Sequence, residues 1–401
     1  MKKYDTYKDS GNQWIGQVPE HWILSKIKYN FGIISGCGFK EKYQGEIEGD
    51  YPFCKASDIN GMGKTISTAR NYVTTKIVLK ERYNIIPANS ILFAKIGEAL
   101  KKNHRKINTI ECIVDNNCQA LVPAKNQNTS YMYYLLTQID MAWFDNAGTI
   151  PCVNNQKLKD FRIALPPLSE QQAIVEFLDK KTGQIDQSIA LLETQKTDLQ
   201  SYRNRLIDEM LWNKNGEVKK VCFKYITDII TVKSISHIKV GLENIESGTG
   251  KYIATESNFA GNGIAFIKGD ILYGKLRPYL KKVWHADFGG AAIGDFYVYR
   301  AKSDVLHSKY LQYFLLSDSF TSLANSSTYG AKMPRVSSDF IGNILISLPP
   351  LSEQQAIVSY LDKKTNEIDA ALKQMDTQIT DLQAYRTALI SEAVTGKIDV
   401  R

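Results

Sequence analysis

The sequence predicts an α+β chain built as an internal duplication. Two globular segments are joined to two long helices, which pair antiparallel as a coiled coil about a pseudo-twofold axis. Three observations predict it. The stretch 165–182, LPPLSEQQAIVEFLDKKT, returns at 348–365 with only Glu176/Ser359 and Phe177/Tyr360 differing. An apolar heptad stripe follows each copy, and the segments upstream of the copies match only in patches. Solenoid repeats have periods of roughly 20–50 residues, so an offset of 183, from 165 to 348, marks the duplication of a whole domain with its helix.

Each repeated stretch opens on a Pro-Pro pair (Pro166-Pro167, Pro349-Pro350), which favours extended backbone and excludes helix interior. A helix start follows. Ser169 with Gln172, and Ser352 with Gln355, fit a capping box in which the hydroxyl and the amide satisfy orphan N–H groups. Beyond it Ile368, Leu372, Met375, Ile379, Leu382, Leu389 and Ala393 occupy a and d positions, interrupted by Arg386. The first copy follows with Ile185, Ile189, Leu192, Leu199 and Leu206, carries Lys196 where its twin has Ile379, and has Gly183 as a place to kink. A helix of about 40 residues is about 60 Å long, longer than a small domain is wide. Amphipathic helices ordinarily pack on their own domain; two matching long stripes in one chain point to each other instead.

The globular segments share a framework. Ile91-Leu92-Phe93-Ala94-Lys95 answers Ile271-Leu272-Tyr273-Gly274-Lys275, and Leu100-Lys101-Lys102 answers Leu280-Lys281-Lys282, each read as a buried strand running into a basic loop. Tyr134-Leu135-Leu136 answers Phe314-Leu315-Leu316 on an expected helix, and Pro151-Cys152-Val153 answers Pro334-Arg335-Val336. The runs YPFCKASDI, CIVDNNCQALVPA and AAIGDFYVYRA read as strands.

The basic loops are the candidate DNA contacts. Lys95, Lys101, Lys102, Arg105 and Lys106 crowd the first copy, beside His104, and Lys275, Arg277, Lys281 and Lys282 the second. Lys and Arg neutralise phosphates with release of counterions, and Arg can grip a guanine edge through two hydrogen bonds. A charge run is by default a solvated face, but recurrence at matching places in both copies favours a function. Asn154, Lys332 and Arg335 lie in polar loops preceding the helices, where they either read bases or turn the chain. Tyr72, Tyr83, Tyr279 and Trp284 are expected in the core.

Composition bounds the rest. The 401 residues are enough for two or more domains, and 43% hydrophobic content supplies their cores. A net charge of +8 permits a polyanionic partner. No stretch approaches the apolar length of a membrane span, so a cytoplasmic protein is expected. The six cysteines have no zinc spacing and are expected to be reduced thiols. Gly61-Met62-Gly63-Lys64-Thr65 imitates the end of a phosphate loop, but the required glycine at 58 is Asp58, and a tight turn is the better reading. The histidines are scattered, and both Pro-Pro pairs read Leu-Pro-Pro-Leu instead of the Asn/Asp-Pro-Pro-aromatic of amino-methylating DNA methyltransferases. No catalytic site is expected in this chain.

The doubled LPPLSEQQAIV…LDKKT…ID…YR block, the N-terminal Trp14-Ile15-Gly16-Gln17-Val18-Pro19-Glu20-His21-Trp22 and the run ILYGKLRPYLKK at 271–282 resemble the specificity subunit of Type I restriction-modification systems. The resemblance covers essentially the whole chain. It implies a target recognition domain at 1–164, a central helical region at 165–212, a second target recognition domain at 213–347 and a C-terminal helical region at 348–401. Each recognition domain would read one half of a bipartite duplex DNA site. The helices would dock two methyltransferase subunits, with restriction subunits joining that core. S-adenosylmethionine, ATP and magnesium would bind those partners, and no cofactor would bind this chain. Competing readings are the specificity subunit of a fused methyltransferase-nuclease system, an active DNA methyltransferase or nuclease, and a coiled-coil scaffold that does not touch DNA.

Overall fold

A computed structural model describes residues 2–401 apart from 62, 147, 213–218, 257, 258, 260 and 331. Met62 of the loop at 61–65, and the start of the second recognition domain at 213, lie outside the described residues. The chain divides into two compact units: one runs from the N-terminus to Ala190 and includes Ile379–Arg401, the other is Leu191–Gln378. Both unit boundaries fall inside the long helices, so each unit contains part of both.

The first unit is built on a sheet of β1 (Phe31–Ser35), β2 (Thr65–Ile66), β3 (Ile91–Ala94), β4 (Arg105–Asn108) and β5 (Cys118–Pro123), in the order β1-β5-β3-β4-β2. Only the β2–β4 pairing is parallel. All four residues of β3 are buried, as its unbroken apolar run requires of a strand covered on both faces. The helices α1 (Thr129–Thr137) and α2 (Leu168–Leu211) follow.

The second unit repeats the plan. Its strands β6 (Thr227–Ile230), β7 (Ile271–Gly274), β8 (Val283–His285) and β9 (Phe296–Ala301) lie in the order β6-β9-β7-β8, all antiparallel, which is the order of β1, β5, β3 and β4. The helices α3 (Ser308–Leu316) and α4 (Leu351–Val394) answer α1 and α2. The runs CIVDNNCQALVPA and AAIGDFYVYRA each contain two strands, but YPFCKASDI is a strand only over Tyr51–Cys54 and turns helical at Ala56–Ile59, where Asp58 accepts the Lys55 N–H at 2.8 Å; both short Tyr/Phe-Leu-Leu segments are helical.

The helix starts differ from the capping box. Each helix begins one residue before the serine, at Leu168 or Leu351, and the first turn bonds to the carbonyl of Pro167 or Pro350. Ser169 and Ser352 therefore lie inside the first turn. The anchoring falls to the glutamine before the one expected. Gln171 donates to the Pro166 carbonyl at 3.0 Å and accepts the Asn128 N–H at 2.9 Å. Gln354 does the same with Pro349 at 2.8 Å and His307 at 2.8 Å. A second duplicated joint lies about two turns on: Tyr134 donates to Asp179 at 2.5 Å, and Tyr313 to Asp362 at 2.8 Å.

Within the first unit, Ile174, Leu178 and Ile185 of α2 share a core with Leu389, Ile390 and Ala393 of α4 and with Tyr131, Met132 and Leu135 of α1. Within the second, Leu206, Ile207 and Leu211 of α2 pack with Ile357, Val358 and Leu361 of α4 and with Tyr310, Leu311 and Phe314 of α3. In both units the two helices run antiparallel. The charged seam positions are paired across the seam: Lys196 with Asp376, and Arg386 with Asp186 at 2.9 Å. The helix α2 is unbroken through Gly183. No helix of the described residues is long and apolar enough to cross a membrane.

Candidate nucleic-acid interface

In the first unit β3 ends at Ala94, Lys95 just beyond it is half-buried, and the chain turns through Gly97 (φ +74°) into the helical turn Glu98–Lys101. Lys101 and Lys102 are exposed, and Lys101 is paired with Glu98 at 2.6 Å. Arg105 and Lys106 are not at the surface. They sit on β4, whose successive side chains point to opposite faces, and because all four of its residues are buried both cations are covered, Arg105 being only 4% exposed. Its guanidinium donates to the carbonyls of Asn103 at 2.5 Å and Ile139 at 2.6 Å. Burial pushes its pKa down to about 10, and burial likewise lowers that of Lys106. As placed, neither can meet a phosphate, which corrects the reading of both as surface cations; Lys101, Lys102 and His104 do lie outside.

Asn154 caps the short helix Asn155–Asp160, accepting from the N–H groups of Gln156 and Lys157. Its amide donates to Asn146 at 2.7 Å. Turning the chain, the second of its two expected roles, is what it does here.

In the second unit Lys275 lies between Asp295, at 3.9 Å, and the Tyr297 ring, 5.1 Å from the centroid. Arg335 forms a two-pronged pair with the same carboxylate, at 3.1 and 2.8 Å. Lys281 is paired with Asp318, and Lys282 donates to the Ile245 carbonyl. Arg277 and Lys332 are exposed. Arg277 holds a left-handed conformation (φ +50°), the place taken by Gly97 in the first unit. A non-glycine residue there costs about 1–3 kcal/mol, a cost tolerated chiefly where function or surrounding structure demands it. Tyr329 and Arg335 exchange backbone bonds at 3.0 Å. Arg277 donates its N–H to the Pro334 carbonyl at 2.7 Å, as Gly97 does to that of Pro151 at 2.8 Å.

Of the aromatics assigned to the core, Tyr83 and Trp284 are there, but Tyr279 is 53% exposed because it sits in the turn after Arg277. Asp295 was invisible to the sequence reading. It precedes β9, and only folding brings it against two cations distant in the chain. Lys64 of the imitation phosphate loop pairs with Asp179 at 2.7 Å, next to a strand at the sheet edge.

A sheet framework repeated with different side chains in its cationic loops defines a tandem DNA-specificity fold, and comparison with known proteins agrees. The model of the Type I restriction modification DNA specificity domain matches residues 19–200 and 218–380, and the chain belongs to that family. It is 24% identical over 317 residues to the Type I restriction enzyme EcoDI specificity subunit of Escherichia coli, covering 67% of this chain and 70% of that one. To the EcoKI specificity subunit of Escherichia coli K12 it is 23% identical over 430 residues, covering 96% and 90%. Among solved structures, the HsdS subunit from Thermoanaerobacter tengcongensis superposes with a TM-score of 0.56 over 95% of this chain and 98% of that chain, at 16% identity. A chain from a structure on complex assembly and conformational transition of the type I R-M system reaches 0.71 over 95% and 99%, at 15% identity. At such identities the solved structures speak for the fold alone.

Proposed function

We propose that this chain is the non-catalytic, sequence-reading subunit of a cytoplasmic Type I restriction-modification complex, and that each unit reads one half of a bipartite, asymmetric duplex site. One observation carries the reading: the two units share strand order and loop anchors, yet differ in the side chains those loops present, with Gly97 answered by Arg277 and Cys152 by Arg335. Unlike readers imply unlike half-sites, hence a non-palindromic target. Linking two weak readers in one chain raises the effective concentration of the second contact. Methyl transfer and cleavage then belong to two methyltransferase subunits docked on the helices and to restriction subunits, which bind S-adenosylmethionine, ATP and magnesium. A fused methyltransferase-nuclease partner would leave the role of this chain the same.

The test is binding of duplex DNA by the assembled complex over a salt series. A steep log–log fall in affinity, together with methyl transfer that disappears when the partner subunits are removed, supports the reading. Methyl transfer by this chain alone, or the absence of salt-sensitive binding, refutes it.

A further inference from the structure

We propose that Ile150 and Met333 are specificity-determining residues that read thymine methyl groups, one in each half-site. The inference rests on the DNA-reading function above and names the contact that two matched loop residues make.

The residues occupy the same place in the two units. Each directly precedes the proline of a matched pair, Pro151 and Pro334, in a loop fastened to the end of a central strand. In the first unit Gly97 bonds to the Pro151 carbonyl at 2.8 Å and Val153 to the Lys95 carbonyl at 3.0 Å. In the second, Arg277 bonds to the Pro334 carbonyl at 2.7 Å and Val336 to the Lys275 carbonyl at 3.2 Å. The loops differ around these anchors: Thr149 is answered by Lys332 and Cys152 by Arg335. Two apolar positions are retained. One, Val153 and Val336, is buried at 6% and 0%, which explains it. The other, Ile150 and Met333, is 65% and 46% exposed, so packing does not.

A single exposed apolar side chain is ordinary on any protein surface. A pair held at equivalent points of two backbone-anchored loops is different. In the first unit exposed Lys101 and Lys102 follow the strand-end turn to which this segment is fastened through Gly97, and in the second the exposed Arg277 is itself that fastening point while exposed Lys332 adjoins Met333. Cations draw the phosphates in; an exposed apolar side chain on the same unit finds one apolar group on a base edge of the major groove, the 5-methyl of thymine.

The test uses the complex with its methyltransferase subunits and the site located by sequencing methylated genomic DNA. Each thymine is replaced singly by uracil, which keeps the hydrogen-bonding edge and deletes the methyl. The unaltered complex is expected to lose about fourfold in affinity at one thymine in each half-site, the worth of one methyl group returned to water. Met333→Ala should erase that loss in one half-site only, and Ile150→Ala in the other, with the salt slope unchanged. Met333→Leu and Ile150→Val should keep it, which separates loss of the contact from loss of the fold. Uracil sensitivity that survives both alanine variants, or that is found at no thymine, overturns the proposal. Failure of the unaltered complex to distinguish its site from a scrambled duplex would overturn the underlying reading, and this inference with it.

Discussion

Asp186 of α2 and Arg386 of α4 form an ion pair at 2.9 Å in the first unit, and the twin positions Arg203 and Asp369 meet at 3.8 Å in the second. The Ile-Asp of each repeat therefore faces the Tyr-Arg of the other copy. Antiparallel pairing of two copies gives this exchange, whereas parallel pairing in register would set Asp on Asp and Arg on Arg. The pairs differ in setting. The Arg386 side chain is 37% exposed, while that of Arg203 is 8% exposed and also donates to the Gly248 carbonyl at 2.7 Å.

Arg203→Ala is therefore expected to destabilise the protein by about 1–3 kcal/mol, because it removes a buried guanidinium that serves the half-buried Gly248 carbonyl and leaves Asp369 with Lys251 alone. Arg386→Ala should cost about 0–1 kcal/mol, as exposed pairs do. Urea unfolding of the purified chain distinguishes them; equal losses would contradict the assignment.

Gln354 is fully buried and ties three backbone groups together, accepting from His307 and donating to Val305 at 2.9 Å and Pro349 at 2.8 Å. Gln354→Ala should cost about 2–4 kcal/mol by leaving them unpaired. Ser352→Ala, the change that a capping box would make costly, should cost under about 0.5 kcal/mol, since the serine lies within the first turn. Thermal unfolding reads both.

In the second unit, burial lowers the pKa of His285 below its ordinary 6.5, helped by Lys309 and His307, and burial also lowers that of His307 beside Lys309. A folded state that disfavours the proton binds fewer protons than the unfolded chain once pH falls through about 6.5. Stability should therefore drop from pH 7 toward pH 5, levelling only below the folded pKa values. A His285→Asn, His307→Asn double variant should flatten that part of the profile, measured as urea midpoint against pH.

Lys102→Ala should lower the salt slope of DNA binding by about 0.9 if its one phosphate contact is lost, and Arg277→Ala should relax preference at one base pair by about 1–3 kcal/mol. Arg105→Ala should instead lower the stability of the first unit, because the Ile139 carbonyl loses a buried donor. Filter binding paired with unfolding curves separates the two classes.

The duplicated stretch, the antiparallel stripes and the buried strand at 91–94 were legible because they are patterns of period and identity. Tertiary commitments were not. Arg105 and Lys106 read as members of a basic run, yet β4 is buried along its whole length, so both are covered, and a run of charges does not reveal which members a strand takes away from water. Lys281 and Lys282 meet Asp318 and the Ile245 carbonyl only after folding. A capping box at the serine puts the helix start two residues late, because a Ser-x-x-Gln pattern resembles a cap even where a preceding Pro-Pro-Leu already starts the helix.

The central claim is that two independent readers share one chain, and exchange of residues 213–345 for the matching segment of another family member tests it most directly. Methylated positions are then mapped across a genome carrying the hybrid complex. The account predicts that one half of the recognised site changes and the other stays as it was. Both halves changing together, or neither changing, would contradict it.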